Sequence, residues 1–169
     1  EVVEETTEDD VFDQCVEGIM QSGGLITGHA GTGKSHLTRR ILAELDRRGL
    51  THVETAPTHA GAIQVGEITL HRFCHGKFSG EKIPRVEQDY LVFSEVGFCS
   101  VVLMSLLAEI RLANPGLRFL LEGDFRQLPC PQNLWHGAGI TQDMMEGSAL
   151  LWELAGGSWK LGAGSSGIE

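Results

Sequence analysis

The run Gly28-His29-Ala30-Gly31-Thr32-Gly33-Lys34-Ser35 fits the pattern G-x-x-x-x-G-K-[ST] at every fixed position. Glycines let a backbone wrap an anion so that several N–H groups point inward. The spacing puts the Lys34 ammonium within reach of the outer phosphates of a triphosphate. It puts the Ser35 hydroxyl where Mg²⁺ would be ligated. Such a cup needs a strand leading in and a helix leading out, because the positive end of the helix adds to the field. Both flanks are present. Leu25-Ile26-Thr27 is a short apolar run. Beyond the loop, Leu37, Ile41 and Leu45 recur at i, i+4 and i+8, and Gly49 is a natural helix stop near Arg48. Arg39, Arg40, Arg47 and Arg48 fall off that stripe, toward solvent.

The elements that must hold this cup follow from the rest of the pattern. Residues 11–21 read as a helix, with Val11, Phe12, Cys15, Val16, Ile19 and Met20 on one face and Ser22-Gly23-Gly24 ending it. Residues 51–55 read as a second strand, followed by Ala56-Pro57-Thr58 and a short helix. Residues 90–93 read as a third strand. Residues 101–112 are apolar nearly all round and predict a buried helix; Asn114-Pro115-Gly116 ends it and launches a fourth strand at 117–121. Strands that are continuous apolar runs, alternating with helices, predict an α/β fold: a mostly parallel sheet with helices on both faces. Trp135, Trp152 and Trp159 are expected to pack the last helix and strand onto that sheet.

The chain carries 13 Lys and Arg against 23 Asp and Glu, a formal charge of −10. Six of those acids stand in the first ten residues, leaving −4 for all the rest. Residues 1–10 therefore read as an acidic flexible tail, 11–161 as one domain, and the Gly- and Ser-rich residues 162–169 as a flexible terminus. The balance excludes a histone-like basic binder and leaves room for a local nucleic-acid site. The longest greasy stretch is interrupted by Ser105, Glu109 and Arg111 and is too short to span a bilayer. No charged-then-apolar leader pattern is present. Cys15, Cys74, Cys99 and Cys130 form no CxxC pair, as expected of reduced thiols in an intracellular protein. His71, Cys74 and His75 lie close together but match no zinc spacing, and read as ordinary polar and core residues.

Three further segments extend the reading. Ala56-Pro57-Thr58-His59-Ala60-Gly61-Ala62 follows the second strand. Thr69-Leu70-His71-Arg72-Phe73 opens a locally basic stretch, where Arg72, Lys77, Lys82 and Arg85 face only Glu81. Phe73 beside Arg72 offers a stacking face plus a cation, as single-strand binding needs. Gly123-Asp124-Phe125-Arg126-Gln127-Leu128-Pro129 follows a strand end, where parallel sheets place their ligand loops. An amide there can report whether a phosphate or a water is present.

In motif order these segments resemble the first RecA-like, P-loop motor domain of superfamily 1 DNA helicases, in the RecD-like branch. The resemblance implies ATP and Mg²⁺ as cofactors and single-stranded DNA, or RNA, as partner. It implies that Gly28, Ala30, Gly31, Thr32, Gly33, Lys34 and Ser35 bind nucleotide, and that Gln14 reads the adenine. Glu95 would activate water, Gln127 would sense the γ-phosphate, and Ser35 and Glu95 would serve the metal, with Asp124 a partial substitute for the family's aspartate at position 94. Pro57, Thr58, His71, Arg72 and Phe73 would contact the nucleic acid.

The departures carry expectations of their own. Ser94-Glu95 stands where the family has Asp-Glu, and a hydroxyl is a poorer partner than a carboxylate for the water shell of a hard dication. Gly61 replaces an alanine. No arginine follows Arg126, and the family's second motor domain, with its arginine finger, is absent from the chain. Weakened hydrolysis and no unwinding by this chain alone are therefore expected. A catalytically inert nucleotide-binding or interaction module, and another P-loop ATPase or phosphotransferase, remain as alternatives. Glu122, an acid closing an apolar strand, has no role in this reading.

Overall fold

The computed structural model describes residues 8–58, 68–77, 83, 85–156 and 160–162. Six parallel strands form one sheet in the order β3-β2-β4-β5-β1-β8. They are β1 (Gly24–Thr27), β2 (His52–Ala56), β3 (Ile68–Thr69), β4 (Tyr90–Phe93), β5 (Arg118–Gly123) and β8 (Lys160–Gly162). A separate two-stranded ribbon pairs β6 (Leu134–Trp135) with β7 (Ala138–Gly139) in antiparallel sense. Because all six main strands run the same way, their carboxyl ends share one edge, and the chain reverses its lateral direction between β3 and β4.

Alternation along the strands explains the two-sided core. Tyr90, Val92, Leu120 and Ile26 point to one face and pack with Val16 and Ile19 of α1 (Glu8–Ser22) and with Ile41, Leu42 and Leu45 of α2 (Lys34–Arg47). Leu91, Phe93, Phe119, Leu121 and Leu25 point to the other. They meet Leu70 and Phe73 of α3 (Leu70–Lys77), Leu103, Met104, Leu107 and Ile110 of α4 (Val101–Ala113), and Leu151 and Leu154 of α6 (Ala149–Leu154). Each fully buried aliphatic of this kind contributes about 1.5–3 kcal/mol. The short helix α5 (Gln142–Glu146) completes the described elements. The helix ends are closed by side chains: Ser100, Thr141 and Ser148 accept from the backbone N–H three residues on.

Several expectations need correction. α1 begins at Glu8, so three of the ten residues assigned to the acidic tail are helical, and residues 1–7 lie outside the described residues. α4 is not buried all round: Val102 is 62% and Leu112 83% exposed, because only one flank of the helix meets the sheet. Trp135 and Trp152 are half exposed. Trp135 rides on the ribbon away from the sheet, and Leu151 and Leu154 take the inward positions of α6. Arg40 and Arg48 are not simply solvated. Arg48 pairs with Glu17 at 2.5 Å and Arg40 lies 3.8 Å from the Phe12 ring, so both tie α2 to α1. The expected short helix after Thr58, the basic residue Lys82 with its neighbour Glu81, Trp159 and the 163–169 terminus fall outside the described residues.

Candidate functional site

The loop from Gly28 to Gly33 joins β1 to α2 at the carboxyl edge of the sheet. Gly33 is left-handed, with φ 88°, and a Cβ built on it would meet open space. The position demands a glycine for backbone reasons and leaves its outer side clear for a ligand. α2 has no acid in its own first turn, so its positive end is not offset from within the helix. Lys34 Nζ donates to the carbonyls of Gly28 and His29, both at 2.8 Å, which holds the ammonium across the loop mouth. Thr32 Oγ1 closes the loop on the His29 carbonyl at 2.7 Å.

A cleft of about 730 Å³ opens beside this loop. Ala30, Gly31, Lys34 and Ser35 line one wall, and Ser94, Glu95, Glu122, Gly123, Asp124 and Gln127 line the other. It continues along α2 past Arg39 and Asp46 to His52 and Glu54. Gly28, Thr32 and Gly33 shape the loop without lining the cleft. Residues almost a hundred positions apart in the chain are thus neighbours, because β5 lies between β1 and β4.

Two tight turns present the second wall. Glu95 leaves β4 with φ 54° and ψ 39°, a conformation that costs a non-glycine residue of order 1–3 kcal/mol. The 3₁₀ turn Val96–Phe98 follows it. A Cβ on Gly97 would stand 2.1 Å from the Asp124 carbonyl, and one on Gly123 would stand 2.8 Å from Gly97 N. The turn after β4 therefore lies directly on the loop after β5. Asp124 Oδ1 accepts from Arg126 N at 2.9 Å, which folds that loop back. Arg126 Nη1 then meets His29 Nε2 at 2.9 Å, linking the loop to the phosphate cup.

Glu122 is the residue that the sequence left without a role. It is 9% exposed and accepts two hydrogen bonds from α2: Ser35 Oγ at 2.9 Å and Thr38 Oγ1 at 2.7 Å. A polar residue ending an apolar strand opposite a Ser-x-x-Thr helix start was the available signal. Gly97 was missed too, since a close approach between distant loops leaves no local pattern.

The expected nucleic-acid row divides. Pro57 and Thr58 follow β2, and His71 and Arg72 are exposed on α3, at the same carboxyl edge. Arg72 N donates to Thr69 Oγ1 at 3.2 Å, capping α3. Phe73 corrects the sequence reading. It is 4% exposed and belongs to the core with Leu70, three residues earlier on the same helical face, so it offers no open stacking surface. Residues 59–62 and the Cys74 and His75 side chains lie outside the described residues. Gln14 is exposed on α1 and is not among the residues lining the cleft. Among the described residues no three His, Cys, Asp or Glu side chains converge as a metal cage. No helix among them is long and apolar enough to cross a membrane.

The arrangement has counterparts in known proteins. A family model described as an AAA domain matches residues 13–146. The chain is 35% identical to human ATP-dependent DNA helicase PIF1 over 125 residues, which cover 61% of this chain and 19% of that protein. It is 36% identical to the ATP-dependent RecD2 DNA helicase of Deinococcus radiodurans over 115 residues, covering 62% and 16%. The chain thus spans about a fifth of the curated relatives it matches. Among solved structures, the Pif1 helicase from Candida albicans superposes with a TM-score of 0.63 at 22% identity, covering 96% of this chain and 40% of that one. A Bacteroides Pif1 bound to single-stranded DNA gives 0.57 at 18% identity, covering 86% and 35%. These likenesses establish the RecA-like α/β fold and the resemblance to the first motor domain of superfamily 1 helicases. The chain belongs to the AAA-domain family.

Proposed function

We propose that this AAA-domain chain is the ATP-binding and ATP-hydrolysing motor domain of a superfamily 1 DNA helicase, and that it binds single-stranded DNA at the ends of β2 and β3. The observation that carries the reading is the shared cleft: Lys34, Ser35, Glu95, Asp124 and Gln127 converge from three segments on one space. Amides of the 28–33 loop and the start of α2 would receive the phosphates. Lys34 would exchange its two carbonyl partners for β- and γ-phosphate oxygens, a stronger, charge-assisted pairing. Glu95 would orient and deprotonate the attacking water, and the Gln127 amide would hydrogen-bond the γ-phosphate or the water that replaces it.

The donor set suits Mg²⁺. It consists of hard oxygens, and the Ser35 proton is already committed to Glu122, which leaves a hydroxyl lone pair for a cation. Ser35 would ligate it, with Glu95 and Asp124 near its water shell. A bound Mg²⁺ would supply positive charge against the phosphates. Ser94 presents a hydroxyl at the end of β4, and we propose slowed turnover on that ground; Ser94→Asp should raise the rate by about threefold or more.

On the nucleic-acid side, Pro57, Thr58, His71 and Arg72 carry the proposal, and Phe73 supports it only as the core anchor of α3. Three strand spacings separate β1 from β2, roughly 14 Å, so phosphate and nucleic acid would communicate through the loops after β4 and β5.

The test is ATP turnover by the purified chain with and without single-stranded DNA. Stimulation by DNA supports the motor-domain reading. Tight nucleotide binding without turnover would instead mark an inert module, and turnover with a small acceptor, indifferent to DNA, a phosphotransferase.

A further inference from the structure

The cleft is short of positive charge for a nucleotide site. Asp46, Glu54, Glu95, Glu122 and Asp124 line it against Lys34 and Arg39. A bare triphosphate entering it would meet repulsion that a dication relieves. Glu122 and Asp124 are the two buried acids among these, and among the described residues the partners of Glu122 are two neutral hydroxyls, with no Lys or Arg ion pair. Burying a carboxylate without a cation is costly, by several kcal/mol. The position therefore makes sense when positive charge sits close by.

Strand register says where that charge belongs. Phe93 pairs with Leu121, so Ser94 is one rung on and level with Glu122. By alternation both side chains turn to the α2 face, the face of Val92 and Leu120. Ser94 Oγ lies 3.3 Å from the Thr55 carbonyl, on the side away from β5. Ser35, by contrast, gives its proton to Glu122. A hydroxyl that ligates a cation does so through an oxygen lone pair and needs an acceptor for its hydrogen. An ionised carboxylate, an acceptor only, fixes that orientation.

We propose that Glu122 is a positioning residue for Mg²⁺: it holds Ser35 in its metal-ligating orientation from β5, and so supplies the carboxylate that β4 lacks at Ser94. Thr38, one turn further along α2, holds the second carboxylate oxygen and prevents Glu122 from swinging toward solvent. This rests on the cleft being a Mg²⁺-nucleotide site.

A fluorescent ADP analogue titrated into the full 169-residue chain, with Mg²⁺ and separately with EDTA, tests it. In the parent, Mg²⁺ should tighten binding by about tenfold or more, and Glu122→Gln should remove most of that gain by weakening affinity in Mg²⁺ rather than by tightening it in EDTA. Mn²⁺ bound with the nucleotide, followed by electron paramagnetic resonance, should weaken by the same factor. Ser94→Asp should restore the gain in the Glu122→Gln background. A full Mg²⁺ gain in Glu122→Gln, or a loss that Ser94→Asp does not relieve, overturns the proposal. If Glu122→Gln does not fold, Glu122→Asp keeps the charge on a shorter arm. It should cut the gain by about threefold or more, and an unchanged gain overturns the proposal equally. No nucleotide binding by the parent in either condition would instead sink the reading of the cleft itself.

Discussion

The cleft beside the 28–33 loop and the row formed by residues 57–58 and 71–73 are built on different geometry, the first by backbone and the second by helical side chains. In the cleft, spacing dictated position. A loop of glycines between a strand and a helix has one way to lie, and Lys34 and Ser35 follow it. In the row, position depended on side-chain direction along a helix. His71 and Arg72 turn outward and Phe73 turns inward, although the three are consecutive. Chemistry written into backbone geometry can be read from a motif, whereas chemistry carried by a helical side chain also needs the helix phase.

Variants can break or sharpen this contrast. The largest effect should come from Phe73→Ala. If the ring is core, the substitution costs about 3–5 kcal/mol of stability, read as a shift in the urea midpoint, and Phe73→Leu should leave DNA affinity within about twofold. Abolished DNA binding by a well-folded Phe73→Leu would return the ring to the binding surface. Next in size is Lys34→Ala, which should lower turnover by about 10²–10³, or roughly 3–4 kcal/mol of barrier, with little change in thermal midpoint. A stability loss as large as that of Phe73→Ala would mean that the carbonyl contacts of Lys34 matter more to folding than to ligand. The smallest is Arg72→Ala. It should weaken single-stranded DNA binding by about threefold to tenfold at low salt and reduce the salt slope by about 0.7, leaving turnover without DNA unchanged.

The same contrast explains what the sequence could and could not reveal about the fold. The strand at 90–93, and the one expected at 117–121 and found at Arg118–Gly123, are recognisable because buried parallel strands are continuous apolar runs. Phe73 was readable in principle, since Leu70 and Phe73 share the i, i+3 spacing of a core-facing stripe. Glu122 offers a weaker signal, an acid closing an apolar strand, because its partners Ser35 and Thr38 stand more than eighty residues away. Trp135 was misjudged for the opposite reason. A large aromatic is usually enclosed, but here it lies on a two-stranded ribbon that the sheet does not cover.

The contact between Gly97 and Asp124 has a mechanical consequence. With no clearance between the two backbones, neither turn can be displaced toward the other. A push on the loop after β5 would thus be met at once by the turn that follows Glu95, as one cog bears on its neighbour. Any bulkier residue at position 97 would prise the pair apart, shifting the segment that carries Glu95 against the one that carries Asp124 and Gln127.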